Sequence, residues 1–303
     1  MPRILVSGLI NIETTLKIDS FPLPYFPVCY PFEGVGSSVS GVGYNIAKAL
    51  TTLGDDVTLL SIVGQDLAAN QVRSTLASDG IVDQHVLGLI TETAQSVILY
   101  DSDGRRQIHV DLKNIQEQTY PPELSENQIE KCDIAVLCNI KFSRSLLHIA
   151  HQKSKIIATD VHAINSLDDA YNQEFMRAAD ILFMSHERLP TSPEIWAHQV
   201  MDAYDPNILV IGLGAQGALL SVRAANDLEY IPAASTRPIV NTIGAGDALF
   251  SAFLHSYLQT DDPHDAIRKA VVFASYKIGA NGAAAGFLDH QTLEKIHNEN
   301  KPA

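Results

Sequence analysis

Short runs of apolar and β-branched residues recur along the chain with amphipathic stretches between them: Arg3 to Ser7, Val57 to Val63, Ile134 to Leu137, Lys155 to Thr159, Ile181 to Met184 and Ile208 to Ile211. Strands buried on both faces read as continuous apolar runs, and their alternation with helices predicts βαβ units. The expected fold is therefore α/β: a doubly wound, mainly parallel sheet with helices on both faces. A helical period is plain from Val42 to Leu53, where Ile46, Ala49, Leu50 and Leu53 share one face and Gly54 supplies a left-handed stop.

Two segments break this rhythm. Asn11 to Asp19 and Ser96 to Val110 alternate apolar with polar residues, and the second folds back through Asp101-Ser102-Asp103-Gly104, with glycine available for positive φ. They predict a small antiparallel β-sheet formed by segments about 10–40 and 88–112 of a single domain covering 1–303. Ligands bind outside the carboxyl ends of parallel strands, so a sheet projecting there would serve as a lid. Surface hairpins with a structural or dimer role would show the same alternation.

Charge narrows the partners. Lys+Arg number 21 against 35 Asp+Glu, a net charge of −14, which repels phosphodiester backbones and anionic lipid. No nucleic acid and no membrane partner is expected. A small anion would need a local positive field from backbone amides, a helix start or a divalent metal. Cys29, Cys132 and Cys138 show no C-x-x-C spacing and are read as reduced thiols of a cytoplasmic protein. The start, MPRILVSGL, lacks the apolar core of a signal peptide, and no apolar run reaches the roughly 18 residues of a spanning helix.

The most informative run is Ile239 to Leu258, IVNTIGAGDALFSAFLHSYL. Asn241-Thr242 is expected to cap a helix carrying Leu249, Phe250, Phe253, Leu254 and Tyr257 on its apolar side. Gly244, Ala245 and Gly246 let the backbone approach a ligand and leave first-turn amides free, which makes an anion hole. An acid at its mouth, Asp247, would repel a phosphate that merely bound there. The acid makes sense as the base that takes a proton from an alcohol attacking a terminal phosphate. An acid placed to favour the helix dipole is the plainer reading.

Rival motifs fall short. Gly212-Leu213-Gly214-Ala215-Gln216-Gly217 fits G-x-G-x-x-G, but the following ALLSVR is strand-like where a dinucleotide fold needs a helix. No G-x-x-x-x-G-K-[ST] occurs. His148 and His151 lie three apart on a predicted helix, read as a solvated face, and Asp160-Val161-His162 ends a strand where it could wall a site.

GAGDALFSAF at 244–253 resembles the C-terminal signature, D-T-x-G-A-G-D, of the PfkB/ribokinase family of carbohydrate and nucleoside kinases. SGVGYNIAKALTTLG at 40–54, followed by VTLLSIVGQD at 57–66, resembles the N-terminal signature, so the likeness spans nearly the whole chain. It implies a ribokinase-like fold with a substrate-covering sheet, and phosphoryl transfer from ATP with magnesium to a hydroxyl of a sugar or sugar derivative. By this resemblance Asp247 is the catalytic base and Gly244, Ala245 and Gly246 form the anion hole. Asn11, Gly41, Gly43 and Asn45 contact the substrate. Gly214, Gly217, Thr242, Asn281 and Gly282 line the nucleotide side.

The sequence departs from the family pattern at several points. Asn241 replaces the first acid of the signature, which helps to ligate a monovalent cation such as potassium, and an amide oxygen coordinates without formal charge. Ser40-Gly41 replaces a glycine pair. The Asn/Glu motif for magnesium and phosphate should fall near Met184 to Arg188, where Glu187 is the remaining candidate. Glu13 aligns with a substrate-side Asp and reaches one methylene further, and an exposed charge on a lid strand is the equal alternative. Two other functions stay open. A ribonucleoside or pseudouridine-type kinase would need an aromatic slot from Tyr25, Phe26, Tyr30 and Tyr44. A kinase-fold sensor or interaction module without catalysis is suggested by Asn241 and the altered 184–188 region. Exposed lid edges suggest a homodimer.

Overall fold

Leu5, Ile4 and Val6 on the first strand already sort into two layers, Leu5 packing with Leu60, Ala135 and Leu137, and Ile4 and Val6 with Leu50, Phe253 and Phe273. In this computed structural model, which describes residues 2–225 and 227–299, that split runs the length of a nine-stranded sheet. Its strands are β1 (Arg3–Ser7), β4 (Asp56–Val63), β5 (Val86–Gly88), β8 (Ile134–Leu137), β9 (Ile156–Asp160), β10 (Ile181–Ser185), β11 (Ile208–Gly212), β12 (Ala218–Val222) and β13 (Asp227–Ile231). The order is β13-β12-β11-β10-β9-β8-β1-β4-β5. All pairs from β5 to β11 are parallel, and β12 and β13 add antiparallel strands at one edge.

One face is covered by α1 (Val42–Leu53), α2 (Leu67–Ser78), α7 (Ala245–Thr260), α8 (Pro263–Lys277) and α9 (His290–Glu299). The other carries α3 (Pro122–Lys131), α4 (Arg144–Gln152), α5 (Gln173–Ala178) and α6 (Pro193–Tyr204). The helix predicted over 42–53 is present, with Gly54 left-handed at φ 98° and donating to Leu50 and Thr51 carbonyls. Most relevant to the site is the seat of α7. Phe250 and Phe253 meet Phe183 of β10 with ring centroids 4.7 and 5.2 Å apart, fixing the helix start over the carboxyl ends of the strands. Truncating a buried phenylalanine of this kind costs roughly 3–5 kcal/mol.

A second, four-stranded sheet has the order β3-β2-β6-β7, from β2 (Asn11–Lys17), β3 (Val35–Ser40), β6 (Gln95–Tyr100) and β7 (Arg106–Asp111). The turn at 101–104 closes as expected, Asp101 Oδ1 accepting from the Asp103 and Arg105 amides and Gly104 taking φ 82°. The sheet is mixed rather than antiparallel: each hairpin is antiparallel, but β2 and β6 pair in parallel. Both strands leave the main body in the same direction, and strand alternation alone does not encode the sense of that seam.

Candidate active site

The buried face of β2 is polar. Asn11, Glu13 and Thr15 are buried while Ile12, Thr14 and Leu16 are half-buried, the reverse of a strand packed on a hydrophobic core. A lid strand that turns carboxylate and amide groups inward has a ligand-facing wall. Asn11 Nδ2 donates to Ser96 Oγ at 2.8 Å, and the Ser40 hydroxyl donates to Glu13 Oε2 at 2.9 Å with Asn45 Oδ1 at 3.4 Å. Asn11 Oδ1 and Glu13 Oε1 are buried without a hydrogen-bond partner among the described residues. Buried polar atoms left open in this way ask for an external partner. Burial raises the Glu13 pKa, opposed by the Ser40 hydroxyl, by the charge of Lys277 and by the Ala283 amide, which approaches without closing a hydrogen bond to Oε1.

Beneath this wall two helix starts converge. α1 begins after Gly41 and α7 after Gly244, and neither glycine provides a side-chain cap, whereas Asp66 and Asp262 cap α2 and α8. Asn241-Thr242, expected as the cap of α7, is not: the helix starts later, and Asn241 Oδ1 instead accepts from the Ile243 amide at 3.1 Å. Gly244 has φ 75°, and a Cβ there would lie 2.4 Å from Ala283 O, so the tight turn itself requires glycine. Above Gly246 the space is open, with no atom within 4 Å of a Cβ position. The Ala245 amide is held 3.3 Å from Thr242 O, so its expected place in the anion hole is already taken. The amides of Gly244 and Gly246 have no partner among the described residues.

Asp247 sits in the first turn of α7, 9% exposed. Its Oδ2 accepts from Asn45 Nδ2 at 2.7 Å, which joins the two helix starts. Burial pushes the Asp247 pKa up to about 6; Asn45, His162 and Lys277 pull it down, and Asp160 pushes it further up. The strand end Asp160-Val161-His162 thus reaches the site, His162 in the left-handed region with its amide 2.8 Å from Asp160 Oδ1. Of the two glycines expected beside the substrate, Gly41 takes φ 106° over Leu9 O, while Gly43 is packed backbone to backbone on Gly8 with its amide donating to Leu9 O. Gly43 sets a spacing.

Two basic residues here were not singled out from the sequence. Arg106, at the start of β7, donates to Thr242 Oγ1 at 2.8 Å and Glu187 Oε1 at 3.1 Å, tying the lid to the turn before α7. Lys277, the last residue of α8, is fully buried, its Nζ donating to Ile243 O and, at 2.8 Å, to Gly282 O. Burial lowers its pKa to about 8 against the upward pull of Asp247 and Glu13. A double Arg at 105–106 and a Lys interrupting an apolar helix were the available signals. On the other side, Gly214 and Gly217 lie in the β11–β12 turn at φ 59° and 102°, beside His186, whose Nδ1 meets Gly212 O at 2.9 Å. Asn281 is exposed, its Oδ1 accepting from Asn241 Nδ2 at 3.0 Å.

A family model described as pfkB family carbohydrate kinase matches residues 1–290. The chain belongs to this family. The kinase is 25% identical over 294 residues to the acarbose 7(IV)-phosphotransferase of Actinoplanes sp., covering 96% of each chain. It is 26% identical over 287 residues to the ATP-dependent ribose-1-phosphate kinase of Halopiger xanaduensis, covering 93% of this chain and 94% of that one. Among solved structures, the microbiome-derived acarbose kinase Mak1 superposes with a TM-score of 0.87 at 24% identity, over 98% and 99% of the two chains. Ribokinase of Arabidopsis thaliana, complexed with ribose and ATP, superposes with a TM-score of 0.80 at 17% identity over 98% of both. These two likenesses establish the ribokinase fold with its lid. The protein is an ATP-dependent carbohydrate kinase acting on a hydroxyl group. No helix among the described residues is long and apolar enough to cross a membrane.

The family's ATP is consistent with the open Gly246 and the two free amides, which suit phosphate oxygens. Magnesium has no preformed cage: among the described residues no group of three or more His, Cys, Asp or Glu could hold a metal ion.

Proposed function

We propose that Asp247 takes the proton from a sugar hydroxyl as that oxygen attacks the γ-phosphate of ATP, with the Gly244 and Gly246 amides holding the transferring group. The observation that carries this is a buried carboxylate at an uncapped, glycine-lined helix start, one oxygen fixed by Asn45 and its pKa about 6. A base is most useful with a pKa near the working pH. Desolvation raises this pKa, and the Asn45 amide keeps it from rising further and aims the carboxylate. Bound magnesium would neutralise phosphate charge, and Glu187, facing Arg106 at 3.1 Å, would reach it only through phosphate.

Glu13, Asn11 and Asn45 are assigned to the sugar's hydroxyls. A carboxylate and amides accept and donate along a polyol, and the reading is supported by the Oε1 and Oδ1 atoms on β2, which lack partners among the described residues and could accept its O–H groups. Gly41 passes the backbone close to the same space. Gly214, Gly217, Thr242, Asn281 and Gly282 are assigned to the nucleotide. An acceptor carrying a base has less support. Tyr44 is buried with its hydroxyl on Asp79, and Tyr25, Phe26 and Tyr30 lie exposed in the 19–34 segment. A homodimer through the lid is supported by the edge strand β7, whose Ile108 and Val110 are half-exposed at 49% and 48%. A single domain and a reducing, cytoplasmic setting fit one continuous sheet and three unpaired cysteines.

ADP release measured against free sugars, sugar 1-phosphates, pseudo-oligosaccharides such as acarbose, and nucleosides tests the acceptor. A sugar or sugar derivative is expected to give the highest kcat/KM. Turnover confined to nucleosides would overturn this reading.

A further inference from the structure

The strongest unexplained feature beside the site is a charge with no place in the chemistry above. Lys277 is fully buried, and lysine is among the residues least often buried. Its Nζ donates to the carbonyls of Ile243 and Gly282, which belong to the two loops that frame the phosphate-binding turn, one before α7 and one after α8. Converging carbonyl oxygens in this position are what a free monovalent cation would use, and an ammonium is similar in size to potassium.

The remaining donors do not suit such a cation either. Asn241 is neutral; its Oδ1 accepts from the Ile243 amide and its Nδ2 donates to Asn281. A second cation would find the carbonyls engaged and would meet the positive charge of Lys277 in a site of low dielectric.

We propose that Lys277 is a covalently tethered cation that replaces a monovalent metal behind the phosphate-binding turn, so that this kinase needs no potassium. The proposal rests on the phosphoryl-transfer site described above. Lys277 acts as a positioning residue: it clamps the 241–244 loop to the 279–283 loop, and so sets the Gly244 turn and the direction of the amides that follow. Its charge also offsets Asp247 and Glu13, both buried carboxylates.

The test uses the full chain in buffers whose only monovalent cation is tetramethylammonium, then with potassium or ammonium added at equal ionic strength. Wild-type kcat and melting temperature are expected to be the same in all three. Lys277→Ala removes the ammonium and leaves room for an ion. Its kcat is expected to fall about 100-fold in tetramethylammonium, the scale of a misplaced reacting geometry. Potassium or ammonium should then restore kcat and raise the melting temperature of the variant alone. A merely structural lysine would show the loss without ion-specific rescue.

Potassium activation or a potassium-specific melting shift in the wild type overturns the proposal. So does a folded Lys277→Ala that no cation restores beyond tetramethylammonium. Should Lys277→Ala not fold, the wild-type titration decides, and Lys277→Met, which keeps the aliphatic stem, supplies the variant. The melting arm needs no turnover, so it separates failure of this proposal from failure of the acceptor assignment, which would appear as absence of acceptor-dependent ADP release.

Discussion

Asn45 Nδ2 lies 2.7 Å from Asp247 Oδ2, a hydrogen bond that spans 202 positions of sequence and fixes the start of α1 to the start of α7. The amide donates to the ionised carboxylate, which favours the charged form and opposes the rise caused by burial.

The pH dependence of turnover follows from this pair. The base must be ionised, so kcat/KM should climb with pH through an apparent pKa of about 6 and then level off. Asn45→Ala removes the donor, and its acidic limb should move to higher pH than that of the wild type. Rate profiles of the two proteins check this; a limb that stays in place, or moves to lower pH, contradicts it.

Glu13 should act on the acceptor alone. Ser40 holds its Oε2 and its Oε1 is open. Replacing it with Gln keeps the shape and removes the charge, and hydrogen bonds to charged groups contribute about 1.5–3 kcal/mol. The acceptor KM is therefore expected to rise roughly 10- to 100-fold with the KM for ATP unchanged. Equal effects on both substrates would place Glu13 elsewhere in the mechanism.

Gly246 and Gly244 should respond differently to alanine. At Gly246 a Cβ meets no atom within 4 Å, so Gly246→Ala should fold with a near-normal melting temperature yet lose turnover, because the methyl enters the space given to phosphate. At Gly244 the same methyl lies 2.4 Å from Ala283 O at φ 75°, and stability itself should fall. Parallel melting curves and assays separate the two; full activity in Gly246→Ala would remove phosphate from that space.

Much of this was legible in the chain. The apolar runs marked the parallel strands β1, β4, β8, β9, β10 and β11 but not the three-residue β5, and the 42–53 helix and the turn at 101–104 lie where the periodicity put them. The site's two halves were marked by glycine-rich helix starts. What was hidden depends on long-range pairing. The parallel β2–β6 seam joins two hairpins whose local patterns are indifferent to its sense. Lys277 looks like the polar edge of an apolar helix until its partners prove to be carbonyls in two separate loops. Asn241-Thr242 had the composition of a cap, but the turn at Gly244 moved the helix start beyond it.

Burying Asp247 should also cost stability. Its pKa rises on folding from the ordinary value of 3.8 to about 6, so the folded state binds the proton more tightly than the unfolded one between those values. Stability from this group is fully present below about pH 4 and is lost as pH rises through 6. Asp247→Asn, which carries no charge to desolvate, should therefore melt higher than the wild type at pH 7, by up to roughly 3 kcal/mol, with the difference fading toward pH 4. A variant less stable at both pH values contradicts this.

The most direct measurement is the turnover of Asp247→Asn with ATP and the best acceptor both saturating, beside their binding constants. The account predicts that kcat falls by a factor of about 10²–10⁴ while both ligands still bind. A folded variant that keeps more than about a tenth of wild-type kcat would contradict it, since general base catalysis contributes far more than that.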